Sequence, residues 1–98
     1  MRKQTNLDGF TKHDLGVKSL DKCTKVECSE VGIFATILDN VCNGTFITLK
    51  PIDEPKESQV FTKDYYERSD KKYCISNYSG TSEKYLKGNK VVYINFNF

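Results

Sequence analysis

A two-residue period runs from Lys90 to Phe98. In an extended strand it puts Val92, Ile94, Phe96 and Phe98 on one face and Val91, Tyr93, Asn95 and Asn97 on the other. A strand with one apolar face buries it only by joining a sheet, so this segment commits the chain to β architecture. The rest of the sequence reads the same way. Val31 to Leu38 is apolar on both alternating faces, the pattern of a strand covered on both sides. Asp39-Asn40-Val41-Cys42-Asn43-Gly44 carries turn chemistry, and Thr45 to Lys50 resumes β composition, which predicts a hairpin. Gln59 to Lys63 and Lys72 to Tyr78 predict a second hairpin across the charged Asp64–Lys71 segment.

Both prolines lie in Pro51–Ser58 among charged neighbours, which marks a solvent-facing connection. Thr11 is placed to cap a short helix through Leu20, with Asp14 in its first turn. Thr81 to Gly88 has Glu83 early, Lys87 late and a terminal glycine, which predicts a second short helix. The expected architecture is mainly β with one or two short helices, a small curled antiparallel sheet or barrel.

The 98 residues suit one domain, 1–98, in which the polar stretch 1–10 lacks any period and reads as a tail. A hydrophobic fraction of 38% is enough to fold, and a formal net charge of +2 excludes the global field of a strongly basic nucleic-acid binder. The charge is uneven: Lys71, Lys72, Lys84, Lys87 and Lys90 face only Glu83 in the last third, while Asp53, Glu54 and Glu57 form an acidic loop. No apolar run approaches the roughly 18 to 20 residues of a membrane span. Met1 to Phe10 lacks the apolar segment of a secretory signal, so the expected location is cytoplasmic if Met1 is the natural start, with an extracellular protein as the alternative.

Cys23, Cys28, Cys42 and Cys74 admit three states: reduced and buried, two disulfides in an exported protein, or a zinc set opened by Cys23-x4-Cys28. Cys42 and Cys74 are too far apart in sequence to form the usual second tight pair, and reduced burial is the expectation. Asn43-Gly44-Thr45 and Asn77-Tyr78-Ser79 have the form of glycosylation acceptors. No cofactor or metal is expected.

Catalysis finds no constellation. His13 is the single histidine, and no phosphate-cradling glycine loop, metalloprotease helix or nucleophile elbow is present. Binding has better material. Phe61, Lys63, Tyr65, Tyr66, Arg68, Lys71, Lys72 and Tyr73 interleave aromatic faces, on which bases stack, with cations that track phosphates. The competing reading packs alternate aromatics into the core and leaves the charges on a solvated hairpin tip.

Glu83-Lys84-Tyr85-Leu86-Lys87-Gly88-Asn89-Lys90-Val91-Val92-Tyr93-Ile94, about an eighth of the chain, resembles the helix-to-strand passage of single-stranded DNA-binding proteins with the oligonucleotide-binding fold. In that family a short helix, a lysine-glycine turn and a Val-x-Val-type strand follow one another. The resemblance implies an oligonucleotide-binding-like barrel. The functional expectation is a small non-enzymatic domain binding single-stranded nucleic acid through basic and aromatic side chains. The alternative is a protein-interaction or inhibitor domain that contacts its partner through the Asp53–Glu57 loop and the Tyr65-Tyr66 tip. The sequence leaves the oligomeric state open.

Overall fold

The computed structural model of the chain describes residues 10–27, 29–80 and 82–98. Its first element is α1 (Lys12–Leu15), held by reciprocal capping: the Thr11 hydroxyl accepts from the Asp14 amide at 3.1 Å and the Asp14 carboxylate accepts from the Thr11 amide at 3.0 Å. The predicted start is therefore found, but the helix stops at Gly16 rather than running to Leu20. Gly16 takes φ 70°, and a Cβ there would collide with the Thr45 side chain. Beyond it the backbone is extended and pairs with the 40–42 segment, with Lys18 N donating to Asn40 O and Cys42 N to Gly16 O, both at 2.8 Å. Long-range pairing has overridden a weak helical preference.

The strands follow as β1 (Thr24–Lys25), β2 (Phe34–Ile37), β3 (Phe46–Ile47), β4 (Phe61–Glu67), β5 (Lys72–Asn77), β6 (Glu83–Leu86) and β7 (Val91–Ile94). They form two antiparallel sheets, ordered β1-β2-β7 and β3-β4-β5-β6. Thr48 and Tyr93 exchange two backbone hydrogen bonds of 3.0 Å, which joins β7 to the end of β3 and makes one strongly curled, half-barrel surface. The mainly β expectation holds.

Two local expectations do not. The Val31–Lys50 hairpin is absent: β2 pairs with β1 and β7, while β3 pairs with β4. Between them Leu38–Asn40 forms a 3₁₀ turn, because the Asn40 side chain turns inward instead of serving a solvent-facing hairpin loop. Its amide donates to Ser19 O at 2.8 Å and to Thr36 Oγ1 at 3.1 Å, and its carbonyl accepts from Ser19 N at 3.0 Å. The predicted Thr81–Gly88 helix is also absent among the described residues: Glu83–Leu86 is an edge strand in register Ser76↔Glu83 through Tyr73↔Leu86. Favourable end charges are worth about 0.3 to 1 kcal/mol, and a helix of this length is marginal alone, whereas β6 satisfies the hydrogen-bonding edge of β5.

The core lies within the curl and includes Leu15, Val17, Leu20, Phe34, Leu38, Val41, Ile47, Phe61, Ile75, Val92 and Ile94. Val92 and Ile94 are buried as the two-residue period requires, but Asn95 takes φ 66°, the strand ends, and Phe98 leaves the core for the surface. Phe10, assigned by sequence to the tail, packs edge-on against Phe34 with centroids 5.8 Å apart. The rest of the tail, 1–9, lies outside the described residues, as do Cys28 and Thr81.

Candidate functional site

The β4–β5 hairpin carries every aromatic-cationic residue singled out by sequence, and one irregularity decides where they point. Lys63 pairs with Ile75 and Tyr66 with Tyr73, so β4 spends one more residue than β5 between these pairs. This bulge breaks the two-residue alternation. Phe61 and Lys63 face the core, Tyr66 rejoins their side, and Tyr65 turns to the opposite face, where its hydroxyl lies 2.9 Å from that of Tyr85. Arg68 and Lys71 are exposed in the turn, Lys71 taking φ 56°, and Lys72 and Tyr73 are half-buried at the start of β5. The eight residues therefore do not share one surface: Tyr66, Lys71 and Tyr73 converge, Phe61 and Lys63 lie inside, and Tyr65 is on the far side.

Beneath the converging group is a buried amine. Lys63 is 1% exposed, donates to Val41 O at 2.5 Å and sits 4.1 Å from the centre of the Tyr73 ring. Burial, with the nearby charge of Lys18, lowers its pKa to about 8, although Asp39 and Cys42 favour its charged form. The Tyr73 hydroxyl donates to Asp39 Oδ1. That bond, aided by burial and by the Asp39 charge, pushes the phenol up to about 12. The same bond, with Lys18, Lys63 and Lys22 around it, holds the Asp39 carboxyl below the usual carboxylate range. Amine, ring, hydroxyl and carboxylate thus form a connected chain from the core to the surface.

At the surface this chain opens into a cleft of about 380 Å³ lined by Ile37, Asp39, Tyr66, Lys71, Tyr73, Gly88 and Asn89. Tyr66 is 46% exposed and meets Tyr73 with centroids 4.8 Å apart. The opposite wall is the β6–β7 turn, pinned by hydrogen bonds from Asp39 N to Gly88 O at 2.8 Å and from Leu38 N to Lys90 O at 2.9 Å. Gly88 permits this close approach, since a Cβ would stand 3.1 Å from Asp39 Cβ and 3.2 Å from Tyr73 Cε2. Exposed Lys87 and Lys90 flank it in sequence, and Lys18 and Lys22 act on Asp39, so cations outnumber the one carboxylate of the lining. Asp39, Gly88 and Asn89 were not singled out by sequence; only the three-dimensional meeting of β2, β5 and the β6–β7 turn brings them here.

A second aromatic group was also missed. Phe46, Tyr78 and Phe98 are 42 to 49% exposed and meet in pairwise edge-on contacts, with centroids 4.9 to 5.6 Å apart. Their sequence separation hid them.

The remaining candidates are placed as follows. Cys23, Cys42 and Cys74 are free thiols, the first and last buried. Among the described residues the one group of metal-ligand type is Asp64, Cys74 and Glu83, with ligand atoms within 4.8 Å of one another, and it includes neither Cys23 nor Cys42. His13 and Cys42 line one cleft with Lys12 and Lys18, and no hydrogen bond joins the two. In the acidic loop, Asp53 is tied down by Ser29 Oγ at 2.5 Å and Glu30 N at 3.1 Å, and Pro55 is buried. Asn77 is buried with its amide on Ser58 O at 2.9 Å, so one of the two glycosylation-type asparagines points inward. No helix among the described residues is long and apolar enough to cross a membrane.

No protein-family model matches the chain, and neither does any curated protein or solved structure.

Proposed function

We propose that the chain is a non-enzymatic binding domain for single-stranded nucleic acid, which holds an unstacked base in the Tyr66–Tyr73 cleft and neutralises backbone phosphates with the surrounding cations. The observation that carries this reading is the half-exposed Tyr66 ring in the same cleft as Lys71. A base stacked on an aromatic face gains about 1 to 3 kcal/mol, and phosphate contacts supply the salt-dependent remainder. Lys71, Arg68 and Lys72 stand at the hairpin tip, with Lys18, Lys22, Lys87 and Lys90 on the other sides. The β6–β7 turn contributes Gly88 and Asn89 to the cleft wall, with strand β6 standing where the resemblance to single-stranded DNA-binding proteins implied a helix.

The test is fluorescence anisotropy of a labelled single-stranded oligonucleotide containing all four bases, at two salt concentrations. Binding should weaken steeply with salt, and Lys71→Gln should reduce the slope of log affinity against log salt by about 1. No anisotropy change at low salt up to several hundred micromolar protein would remove the reading. The exposed Phe46–Tyr78–Phe98 cluster favours the second reading, a protein-interaction domain, because rigid aromatics are enriched at the buried centres of protein interfaces.

A further inference from the structure

A carboxylate is an unexpected lining for a cleft that accepts a polyanion. Asp39 is held ionised and exposed there, with Tyr73 donating to one oxygen and, among the described residues, no side-chain or backbone donor on the other. An ionised carboxylate only accepts hydrogen bonds, and its two oxygens offer about four acceptor sites. It repels phosphate, so its place in the cleft is explained by a ligand edge that carries donors.

The four bases differ sharply in this respect. Guanine presents two adjacent donors on its pairing edge, the ring N1–H and the exocyclic N2 amine, spaced to meet one carboxylate. Adenine and cytosine each place one amine beside a ring nitrogen acceptor, and thymine or uracil places one N–H between two carbonyls. Against Asp39 each of these three brings an acceptor toward a negative oxygen. Asn89, on the same lining, supplies an amide able to donate to the guanine O6 carbonyl, and Tyr66 supplies the stacking face.

Building on the single-strand reading, we propose that the cleft is a guanine-selective pocket, with Asp39 as its specificity-determining residue. The cleft of about 380 Å³, with Ile37 as an apolar part of its lining, leaves room for a flat ring system beside Tyr66. The bidentate bond is formed without moving Tyr73, whose hydroxyl occupies only one of the acceptor sites.

The experiment titrates the full chain with the trinucleotides d(TGT), d(TIT), d(TAT) and d(TCT), where I is hypoxanthine, following the amide shifts of Tyr66 and Asn89 by NMR. d(TGT) should bind about tenfold more tightly than d(TAT) or d(TCT), the usual scale of discrimination by one good bidentate contact. d(TIT), which lacks only the N2 amine, should fall between them. Asp39→Asn should bring the four within about twofold of one another. The hypoxanthine contrast needs no variant, so it decides the matter even if Asp39→Asn folds poorly. Equal binding of all four, or a preference for d(TAT), would overturn guanine selectivity while leaving the single-strand reading intact. The ribose forms r(UGU) and r(UAU) are titrated alongside, and a preference for ribose whatever the base would overturn guanine selectivity too and assign Asp39 to the 2′-hydroxyl. Absence of shifts with every trinucleotide and with longer strands would take down both proposals.

Discussion

Two exposed aromatic clusters occupy this surface, and they are built on different physics. In the Tyr66–Tyr73 cluster the rings connect to ionisable groups: a buried ammonium lies under Tyr73, a carboxylate accepts from its hydroxyl, and Lys71 shares the cleft. In the Phe46–Tyr78–Phe98 cluster the rings meet one another edge-on, two of the three having no polar atom at all. Tyr66 is as exposed as the three rings of the second cluster, while Tyr73 is half-buried. What differs is that the first cluster is tuned by charge, so pH and salt should act on it, while the second should respond only to loss of ring contacts.

The largest expected effect comes from removing the buried charge with Lys63→Met. Folding lowers the Lys63 pKa from 10.5 to about 8, so the unfolded chain binds the proton more tightly than the folded one. The cost of carrying that charge inside is fully present below pH 8 and fades as pH rises toward 10.5, which means wild-type stability increases with pH over this window. Two ionisations oppose the trend at higher pH: burial raises the Cys23 thiol from its ordinary 9.0, and the Asp39 bond raises the Tyr73 phenol from 10 to about 12, so the clean window is pH 8 to 9. A displacement of this size corresponds to about 3 kcal/mol. Urea denaturation at several pH values should show a rising wild-type curve over that window and a flat one for Lys63→Met. Parallel curves would mean the amine is solvated and the cleft rests on no buried charge.

A smaller effect separates the two faces of the hairpin itself. Tyr65 and Tyr66 are adjacent and equally exposed, but the bulge sends Tyr65 to Tyr85 and Tyr66 to the cleft. Tyr66→Ala should weaken oligonucleotide binding by about 1 to 3 kcal/mol with little loss of stability, the range measured for one stacked base. Tyr65→Ala should leave affinity within about twofold, because its contacts with Tyr85 and Cys74 lie on the face away from the cleft. Equal losses from both would show that the strand wraps the hairpin edge and that the bulge does not select a face.

The bulge also explains how far the sequence could be read. The mainly β class was legible because Val92 and Ile94, Phe61 and Lys63, and Ile75 and Asn77 obey a two-residue period with their buried partners. Pairing partners were not, since β2 meets β7 across more than fifty residues and no local signal encodes that distance. The inserted residue at Asp64–Tyr65 leaves no mark in composition, yet it reverses every side chain after it. Lys63 was legible as a cation and not as a buried one, because burial depends on Val41 O and Tyr73 arriving from other segments. β6 misled for the opposite reason: its end charges imitate a helix, and only the free edge of β5 decides the matter.

The smallest effect tests whether the second cluster belongs to the same binding face. Phe46 pairs across β3–β4 with Thr62, and its ring touches Tyr78, which follows β5, and Phe98, which follows β7. Each edge-on pair contributes about 0.5 to 1.5 kcal/mol beyond simple burial, and partial exposure places this one toward the lower end. Phe46→Ala should therefore cost about 1 kcal/mol of stability with no pH dependence between 8 and 9, in contrast to the Lys63 position. Oligonucleotide affinity and its salt slope should be unchanged, because no lysine lines the adjoining surface formed by Asp14, Leu15, Thr45, Asn95 and Phe96. A tenfold loss of affinity in Phe46→Ala, with stability preserved, would instead join the two clusters into one track. The strand would then run from the Tyr66 cleft past Phe46, and the contrast between a charge-tuned and a purely apolar aromatic group would cease to divide the molecule.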